Sequence, residues 1–232
     1  MSSIEAAPLI LLQTASRPSL LHRLQLRMFK IWRAKRHTMF VERIKPRPDE
    51  RMLDVGGYPE YWTRFQPVVR HLDCVNLHAY PWDPSSVPQH SISTMIGDGC
   101  ALDIPDNAYD ISFSNSVIEH VGDYEAQKTF AREILRIGRR IWVQTPAYEC
   151  PIEPHFLAPF IHWLPRSWRI VLARYFTFWG LTTRPTPEAV IEFVDFTRLM
   201  TKREFADCFP GCTVITERML FVIPKSYIAV RS

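Results

Sequence analysis

The sequence predicts an α/β fold: a doubly wound, mostly parallel sheet with an antiparallel last strand and a helical lid insertion. Three observations support this prediction. The apolar run at 51–55 leads into two adjacent glycines, Gly56 and Gly57, as a buried strand does before a ligand-binding turn. Strand-like and helical stretches then alternate, which is typical of βαβ units. The last two strand-like stretches are joined by a connection so short that it predicts antiparallel neighbours.

Each later element follows from a local pattern. A helix is predicted from Asp123, a suitable N-cap, to Ile137, with Gly138 as its stop. Thr201 and Glu204 form a capping-box pattern that opens another helix. Further strands are predicted at 71–77, 93–97, 110–114, 140–145, 213–219 and 227–230, with 224–226 in the last connection.

A basic segment at 17–47 precedes the predicted sheet. Its apolar residues Leu20, Leu24, Met28 and Ile31 recur at helical spacing and predict an amphipathic basic helix. The apolar stripe could dock on the rest of the protein, with the charges in solvent. The alternative is attachment of the helix to an anionic membrane surface. A proline-containing break after this segment marks the entry to the folded domain.

Length and composition limit the other possibilities. A chain of 232 residues fits one α/β domain. We predict a basic helical extension over residues 1–47 and one domain over 48–232, in which an aromatic-rich lid occupies 151–200. The net charge of +4 is too modest to indicate nucleic acid.

The five cysteines are odd in number and form no CxxC pair, so no disulfide framework or metal site is predicted. The chain has no signal-like start and no apolar run long enough to span a bilayer. We therefore expect a cytoplasmic location, with peripheral attachment to the inner face of the membrane as a further expectation.

The turn after the first strand argues against a dinucleotide and, more firmly, against a P-loop nucleotide. A dinucleotide fingerprint needs GxGxxG, whereas Tyr58 and Pro59 follow Gly56 and Gly57 here. A P-loop needs a GK[ST] sequence, which does not follow this strand. A nicotinamide reductase is therefore a distant alternative.

Three stretches, LDVGGYPEYW, VNL and GDGCALDIPDNAYDISFSNSVIEHVGD, together resemble the class I S-adenosylmethionine-dependent methyltransferases, in particular their small-molecule, type 11-like branch. The resemblance covers roughly residues 51–146 and implies a Rossmann-like sheet with S-adenosylmethionine as cofactor. It places Asp54, Gly56 and Gly57 at the methionine end of the cofactor and Asn76 near the ribose, and Tyr58 is a further candidate for binding the cofactor.

The same resemblance assigns residues after the third and fourth strands. Asp98 would meet the adenine amino group, with turn capping as the structural alternative for its side chain. Asn115 and Ser116 would face the sulfonium. Beside the adenine ring the resemblance places Gly99, Cys100, Ala101 and Leu102.

Methyl transfer to a hydroxyl requires removal of a proton. His120, just past the fourth strand, is the candidate general base because imidazole titrates near neutral pH. Glu119 and His155 are alternatives, and His162 is a weaker one. We interpret Glu153 as a solvated charge. His120 could equally only pack against the following helix.

The aromatic-rich lid is the clue to the acceptor. It could form a small second core, an apolar acceptor channel, or a surface that meets a bilayer. We expect O-methylation of a small-molecule, glycan or lipid-linked acceptor, with contact to anionic membrane. The alternatives are a C- or N-methyltransferase, and a binding module of the same fold that has lost catalysis.

Overall fold

The computed structural model describes residues 20–232, with side chains from residue 30 onward. The predictions for residues 1–19, and for the side chains of Leu20, Leu24 and Met28, therefore lie outside the described residues. The described residues form helices and strands. The helices are α1 (Leu20–Ile44), α2 (Pro59–Trp62), α3 (Tyr124–Ile137), α4 (Arg166–Tyr175), α5 (Phe178–Thr183), α6 (Pro187–Phe196) and α7 (Lys202–Cys208). The strands are β1 (Arg51–Val55), β2 (His71–Asn76), β3 (Ile92–Ile96), β4 (Tyr109–Asn115), β5 (Gly138–Pro146), β6 (Ile152–Glu153), β7 (Ala158–Pro159), β8 (Thr213–Met219) and β9 (Ile223–Arg231).

Seven of the strands form one sheet in the order β3-β2-β1-β4-β5-β9-β8. Strands β1 to β5 are parallel, whereas β9 is antiparallel to both of its neighbours. The predicted doubly wound, mostly parallel sheet with an antiparallel last strand is therefore confirmed. We call the edge at which β1 to β5 end the carboxyl edge; ligands bind at this edge in open α/β sheets.

Apolar cores cover both faces of the sheet. On one face, α3 and α7 pack on the strands through side chains such as Phe130 and Phe205. On the other face, Phe40 and Ile44 of α1 and Trp62 of α2 pack on Phe113 and the other strand residues of that face. The predicted N-cap, Asp123, accepts a hydrogen bond from Ala126 N at the start of α3. Thr201 and Glu204 form the predicted capping box of α7.

Helix α1 confirms the predicted basic helix, and among its described side chains the docking residues lie outside the predicted stripe. Phe40 and Ile44 are buried, whereas Ile31 is 55% exposed. Arg140, near the start of β5, donates to the carbonyl of Ile44, while Arg36 reaches Asn115 at the end of β4. The helix therefore runs antiparallel to the parallel strands, and Arg36 lies at the carboxyl edge.

One local prediction was wrong, whereas a helix does follow the glycine turn, as is typical of such turns: it is the four-residue α2. The connection between the last strands is 220–222, not 224–226. Pro224 lies in β9 next to a bulge at Glu217/Arg218, and a bulge is a place where a proline is tolerated within a sheet.

The segment at 151–200, predicted as a helical lid, leaves the sheet after β5 and returns beside it, where Ala147 bridges to Met200. It contains α4, α5, α6 and the β6–β7 ladder. Its own core includes Phe156, Val190 and Val194. Both ends of this segment therefore lie at the carboxyl edge.

Candidate functional site

The turn after β1 is built around the side chain of Asp54. Trp62 Nε1 donates to Asp54 Oδ2 at 2.7 Å, and the carboxyl group is buried. A Cβ at Gly57 would lie 1.8 Å from Asp54 Oδ2, and one at Gly56, where φ is +76°, would lie 2.5 Å from Val117. Both positions therefore require glycine if the turn is to keep its shape.

Asp54 is also electrostatically unusual. Burial raises the pKa of its carboxyl to about 7, against the lowering effect of the hydrogen bond from Trp62. Within the described part of the chain, Asp54 Oδ1 is buried and accepts no hydrogen bond. An unpartnered buried acceptor favours a cationic or hydrogen-bond-donating ligand group beside it.

Asn76 and Tyr58 support the same turn. Asn76 Nδ2 donates to the carbonyl of Gly57 at 2.7 Å, so its amide positions the turn. The rings of Tyr58 and Tyr80 are in edge contact at 4.8 Å, and Tyr80 donates to Glu60 at 2.6 Å. These contacts position Tyr58 after β1 and Asn76, the residue predicted near the ribose, at the end of β2.

The loop after β3 carries the residues predicted for the adenine. Asp98 is exposed, and its Oδ1 accepts from the backbone N–H of Cys100 at 2.8 Å, as in turn capping. Leu102 is buried, and its N–H donates to Glu133 at 2.9 Å. A Cβ at Gly99 would lie 2.7 Å from Phe130. Ala101 is exposed on the same turn.

Asn115 and Ser116, predicted to face the sulfonium, meet α1 and β5. Arg36 Nη1 donates to Asn115 Oδ1 at 2.8 Å and to Gln144 Oε1 at 2.9 Å. Ser116, with φ at 58°, donates from its hydroxyl to the same Gln144 oxygen at 3.0 Å. Sequence reasoning missed Arg36 and Gln144, because neither belongs to the recognised stretches.

The three catalytic candidates come together at the carboxyl edge. His120 Nε2 lies 3.1 Å from His155 Nε2, and His155 Nε2 lies 3.9 Å from Glu119 Oε1. Thr145, near the end of β5, donates to Glu119 Oε2 at 3.0 Å. The other nitrogen of His155, Nδ1, lies 2.6 Å from Glu153 Oε1. The interpretation of Glu153 as a solvated charge was wrong, since its side chain is 1% exposed.

The pKa values in this cluster move in different directions. Burial and the neighbouring His155 lower the pKa of His120 to about 3. Burial alone would lower the pKa of His155, but the carboxylates of Glu153 and Glu119 outweigh it and raise the pKa. Burial raises the pKa of Glu119 despite the nearby His155.

The lid closes over this cluster. The ring of Phe193, on α6, lies 6.4 Å from the ring of His120 and 6.0 Å from that of His155. His162 takes a different position, with its Nε2 donating to the carbonyl of Tyr148 at 2.8 Å. The lid therefore contributes His155, not His162, to the cluster.

The predicted residues form two adjoining groups. The first comprises the residues after β1, β2, β3 and the end of β4, and its glycine turn and the unpartnered Asp54 oxygen fit a ligand with a cationic centre, as S-adenosylmethionine has. The second is the cluster of Glu119, His120 and His155. Ile118–His120 forms a 3-10 turn three residues after β4, which places the second group next to the first.

Comparisons with known proteins agree with this arrangement. A family model described as "Methyltransferase domain" matches residues 65–140, from β2 to the start of β5. No curated protein sequence matches the chain.

Several solved structures resemble the chain. A possible exported protein from Bordetella parapertussis is 13% identical, with 85% of this chain and 67% of that chain covered, at a TM-score of 0.52. A Rhodobacter sphaeroides protein, provisionally described as a zinc-dependent alcohol dehydrogenase, is 14% identical, with 84% and 88% covered, at 0.53. A SAM-dependent methyltransferase from Aquifex aeolicus is 13% identical, with 85% and 88% covered, at 0.48. At these identities the likeness shows a shared fold alone.

Proposed function

We propose that this chain is a class I S-adenosylmethionine-dependent methyltransferase, which the domain match over residues 65–140 and the sheet order support, and that it methylates a hydroxyl group of a lipid-linked or otherwise amphiphilic acceptor at an anionic membrane surface. Bound cofactor supplies a methyl group on a cationic sulfur. The residues of the chain would hold the cofactor in the turn after β1, orient the acceptor at the carboxyl edge and accept the hydroxyl proton.

The observation that carries this proposal is the exposed apolar tip of the β8–β9 hairpin. Leu220, Phe221 and Val222 are 77%, 95% and 70% exposed. Since Ser226 of β9 pairs with Pro146 at the end of β5, the tip extends beyond the carboxyl edge. An apolar triplet at such a tip is costly in water and favours insertion into a bilayer interface.

The lid adds a second apolar surface at the same edge. Trp168 is 63% exposed, and Phe176 is 72% exposed. Cationic side chains lie among these rings, and Arg174 lies over the ring of Tyr175 at 5.3 Å. Aromatic rings mixed with arginine suit the boundary between lipid head groups and acyl chains.

The part of α1 that precedes Arg36 adds positive charge near this edge. Lys30, Arg33 and Lys35 are exposed. Exposed cations of this kind attract anionic lipid. The described residues include no helix that is long and apolar enough to cross a membrane.

Transfer to a hydroxyl fits the chemistry of the adjoining cluster. His120, His155 and Glu119 bring two imidazoles and a carboxylate together. Such groups accept protons, which is what transfer to oxygen requires. Phe193 and the lid core beside them would exclude water from the acceptor.

The test combines vesicle binding with methyl transfer. Purified protein and methyl-labelled S-adenosylmethionine are incubated with hydroxyl-bearing glycolipids, or with their water-soluble head groups, in anionic or zwitterionic vesicles. We expect the protein to float with anionic vesicles and to label the lipid-linked acceptor faster than its free head group. Efficient labelling of the free head groups without vesicle binding would contradict the proposal, and labelling on nitrogen or carbon would contradict its O-methyl part.

A further inference from the structure

Two histidines and one glutamate converge at the carboxyl edge although they lie far apart in sequence. We propose that Glu119, His120 and His155 form a binding site for a divalent first-row transition metal, with Glu153 as the outer partner of His155. One ligand atom from each of the three lies within 4.8 Å of the others.

The distances suit a shared ion. Nitrogen ligands lie about 2.0–2.1 Å from zinc, so two of them at a tetrahedral angle are about 3.4 Å apart. The two Nε2 atoms are 3.1 Å apart, close to this separation. The 3.9 Å from His155 Nε2 to Glu119 Oε1 allows the carboxylate to complete a third position after a small adjustment.

The buried carboxylate points to a missing partner. Glu119 is 0% exposed, and its Oε2 accepts from Thr145. Among the described residues, Glu119 Oε1 accepts no hydrogen bond. Leaving a carboxylate oxygen buried without a partner is costly. A cation bound between Oε1 and the two imidazoles would remove that cost.

Glu153 completes the arrangement in the way metal sites usually do. Its Oε1 lies 2.6 Å from His155 Nδ1, and its Oε2 accepts from the N–H of Phe156 at 2.6 Å. A carboxylate on the far nitrogen fixes the tautomer that presents Nε2 to a metal. The orientation of His155 is therefore already set for coordination.

The donor set indicates the class of metal. Imidazole nitrogens together with one carboxylate favour zinc, iron, nickel or copper in the divalent state, whereas calcium and magnesium prefer oxygen ligands. Three protein ligands leave a position open for water or an acceptor oxygen, as in catalytic zinc sites. The site adjoins Ser116 and Asn115 through the same short turn after β4.

The competing explanation is a shared proton. In that case the contact between the two Nε2 atoms is an ordinary hydrogen bond between one protonated and one neutral ring. His120 and His155 would then bind no metal, and Glu153 would only stabilise the positive charge on His155.

The experiment uses tag-free full-length protein stripped with a chelator and titrated with Zn²⁺ by calorimetry and with Co²⁺ by absorption. We expect one ion per chain and a cobalt spectrum of a four- or five-coordinate site without a thiolate charge-transfer band. We expect His155→Ala and Glu119→Gln each to abolish the saturable site. Glu153→Gln should weaken binding about 10–100-fold.

His78→Ala is the matched control, because His78 is exposed and lies outside the cluster; its binding should equal that of the parent protein. The parent's cobalt spectrum decides the question if a ligand variant fails to fold. A thiolate band, binding that survives His155→Ala in folded protein, or no stoichiometric binding would overturn the proposal. A low-field proton assigned to Nε2 of His120 or His155 in NMR spectra of metal-treated protein would replace it with the shared-proton pair, whereas a low-field Nδ1 proton of His155 is expected in both cases because of Glu153.

Discussion

The carboxyl group of Asp54 has two different environments. Its Oδ2 is held by Trp62, while Oδ1 is buried and, within the described residues, accepts no hydrogen bond. Burial raises its pKa to about 7. Cofactor binding would therefore be linked to loss of the proton from this group, since a cationic centre stabilises the ionised form.

This linkage predicts how pH affects stability. The folded-state pKa of Asp54 is raised from 3.8 to about 7. The stability that the protonated carboxyl contributes is therefore fully present below the unfolded-state pKa and is lost as the pH rises through the folded-state pKa of about 7. Asp54→Asn lacks this titration. The free energy of unfolding of the parent, relative to the variant, should therefore fall by up to about 1.4 kcal/mol per pH unit across this window. Urea unfolding at several pH values measures it.

Asp103→Asn is the control for this measurement, because Asp103 is exposed on the loop after β3. Its unfolding free energy should follow that of the parent at every pH. A constant difference between parent and Asp54→Asn over the same range would contradict the burial argument.

The sequence indicated which residues form the glycine turn better than it indicated which side chains contact each other. Asp54, Gly56 and Gly57 are recognisable because a strand, an acid and a glycine turn follow one another in the chain. Glu153 and His155 are two residues apart in the lid and give no periodic signal, so the burial of their pair could not be read. The contact between His120 and His155 depends on how the lid returns to the sheet.

Among the elements, α1 makes the polar contacts that connect the two ends of the chain. Besides Asn115 and Gln144, Arg36 pairs with Glu217 of β8 at 3.1 Å, and both side chains are mostly buried. Burial would raise the pKa of Glu217, but Arg36 and Lys225 outweigh it and hold the pKa below its usual value. Helix α1 is therefore bonded to β4, β5 and β8 together.

Replacing Arg36 tests this role. Arg36→Leu removes the donor from two amide oxygens and leaves Glu217 with Lys225. We expect the free energy of unfolding to fall by about 2–4 kcal/mol, because Asn115 loses its donor from Arg36, and Gln144 and Glu217 each lose one of their donors. Denaturant unfolding followed by circular dichroism measures the change.

Arg43→Leu is a matched substitution on the same helix, because Arg43 is exposed. It should change the unfolding free energy by no more than about 0.5 kcal/mol. Equal effects of the two substitutions would show that the contacts of Arg36 add no stability of their own.

The periodicity of apolar residues predicted that a helix forms before the sheet, but it did not predict which residues of that helix pack on the sheet. The helical spacing of apolar residues indicated α1, yet the residues that anchor it are Phe40 and Ile44, further along the helix. Spacing alone cannot say which part of a long helix meets a sheet. The length of α2 likewise depended on the chain after Trp62, which the pattern of the glycine turn does not contain.

For the whole molecule, the mostly parallel sheet was predicted from the alternation of strands and helices, whereas the apolar and basic surface at the carboxyl edge was not. Three segments distant in sequence meet at that edge: α1 at Arg36, the lid and the β8–β9 tip. The tip lies there because β9 runs antiparallel to β5, so that β9 begins at the carboxyl edge. A surface assembled from such distant segments has no signature in local sequence.

The proposed membrane contact predicts a specific effect at the hairpin tip. Phe221 is 95% exposed, so Phe221→Ser should leave folding nearly unchanged. Burial of a Phe side chain contributes about 1.5–3 kcal/mol, so we expect the partition coefficient for anionic vesicles to fall about tenfold or more. Phe221→Trp should retain binding, because tryptophan favours the interface. Vesicle flotation measures each partition coefficient, with binding of demethylated cofactor as the folding control. If serine and tryptophan variants partitioned equally, the tip would not enter the bilayer, and attraction of anionic lipid to the exposed cations of α1 would have to account for any binding that remained.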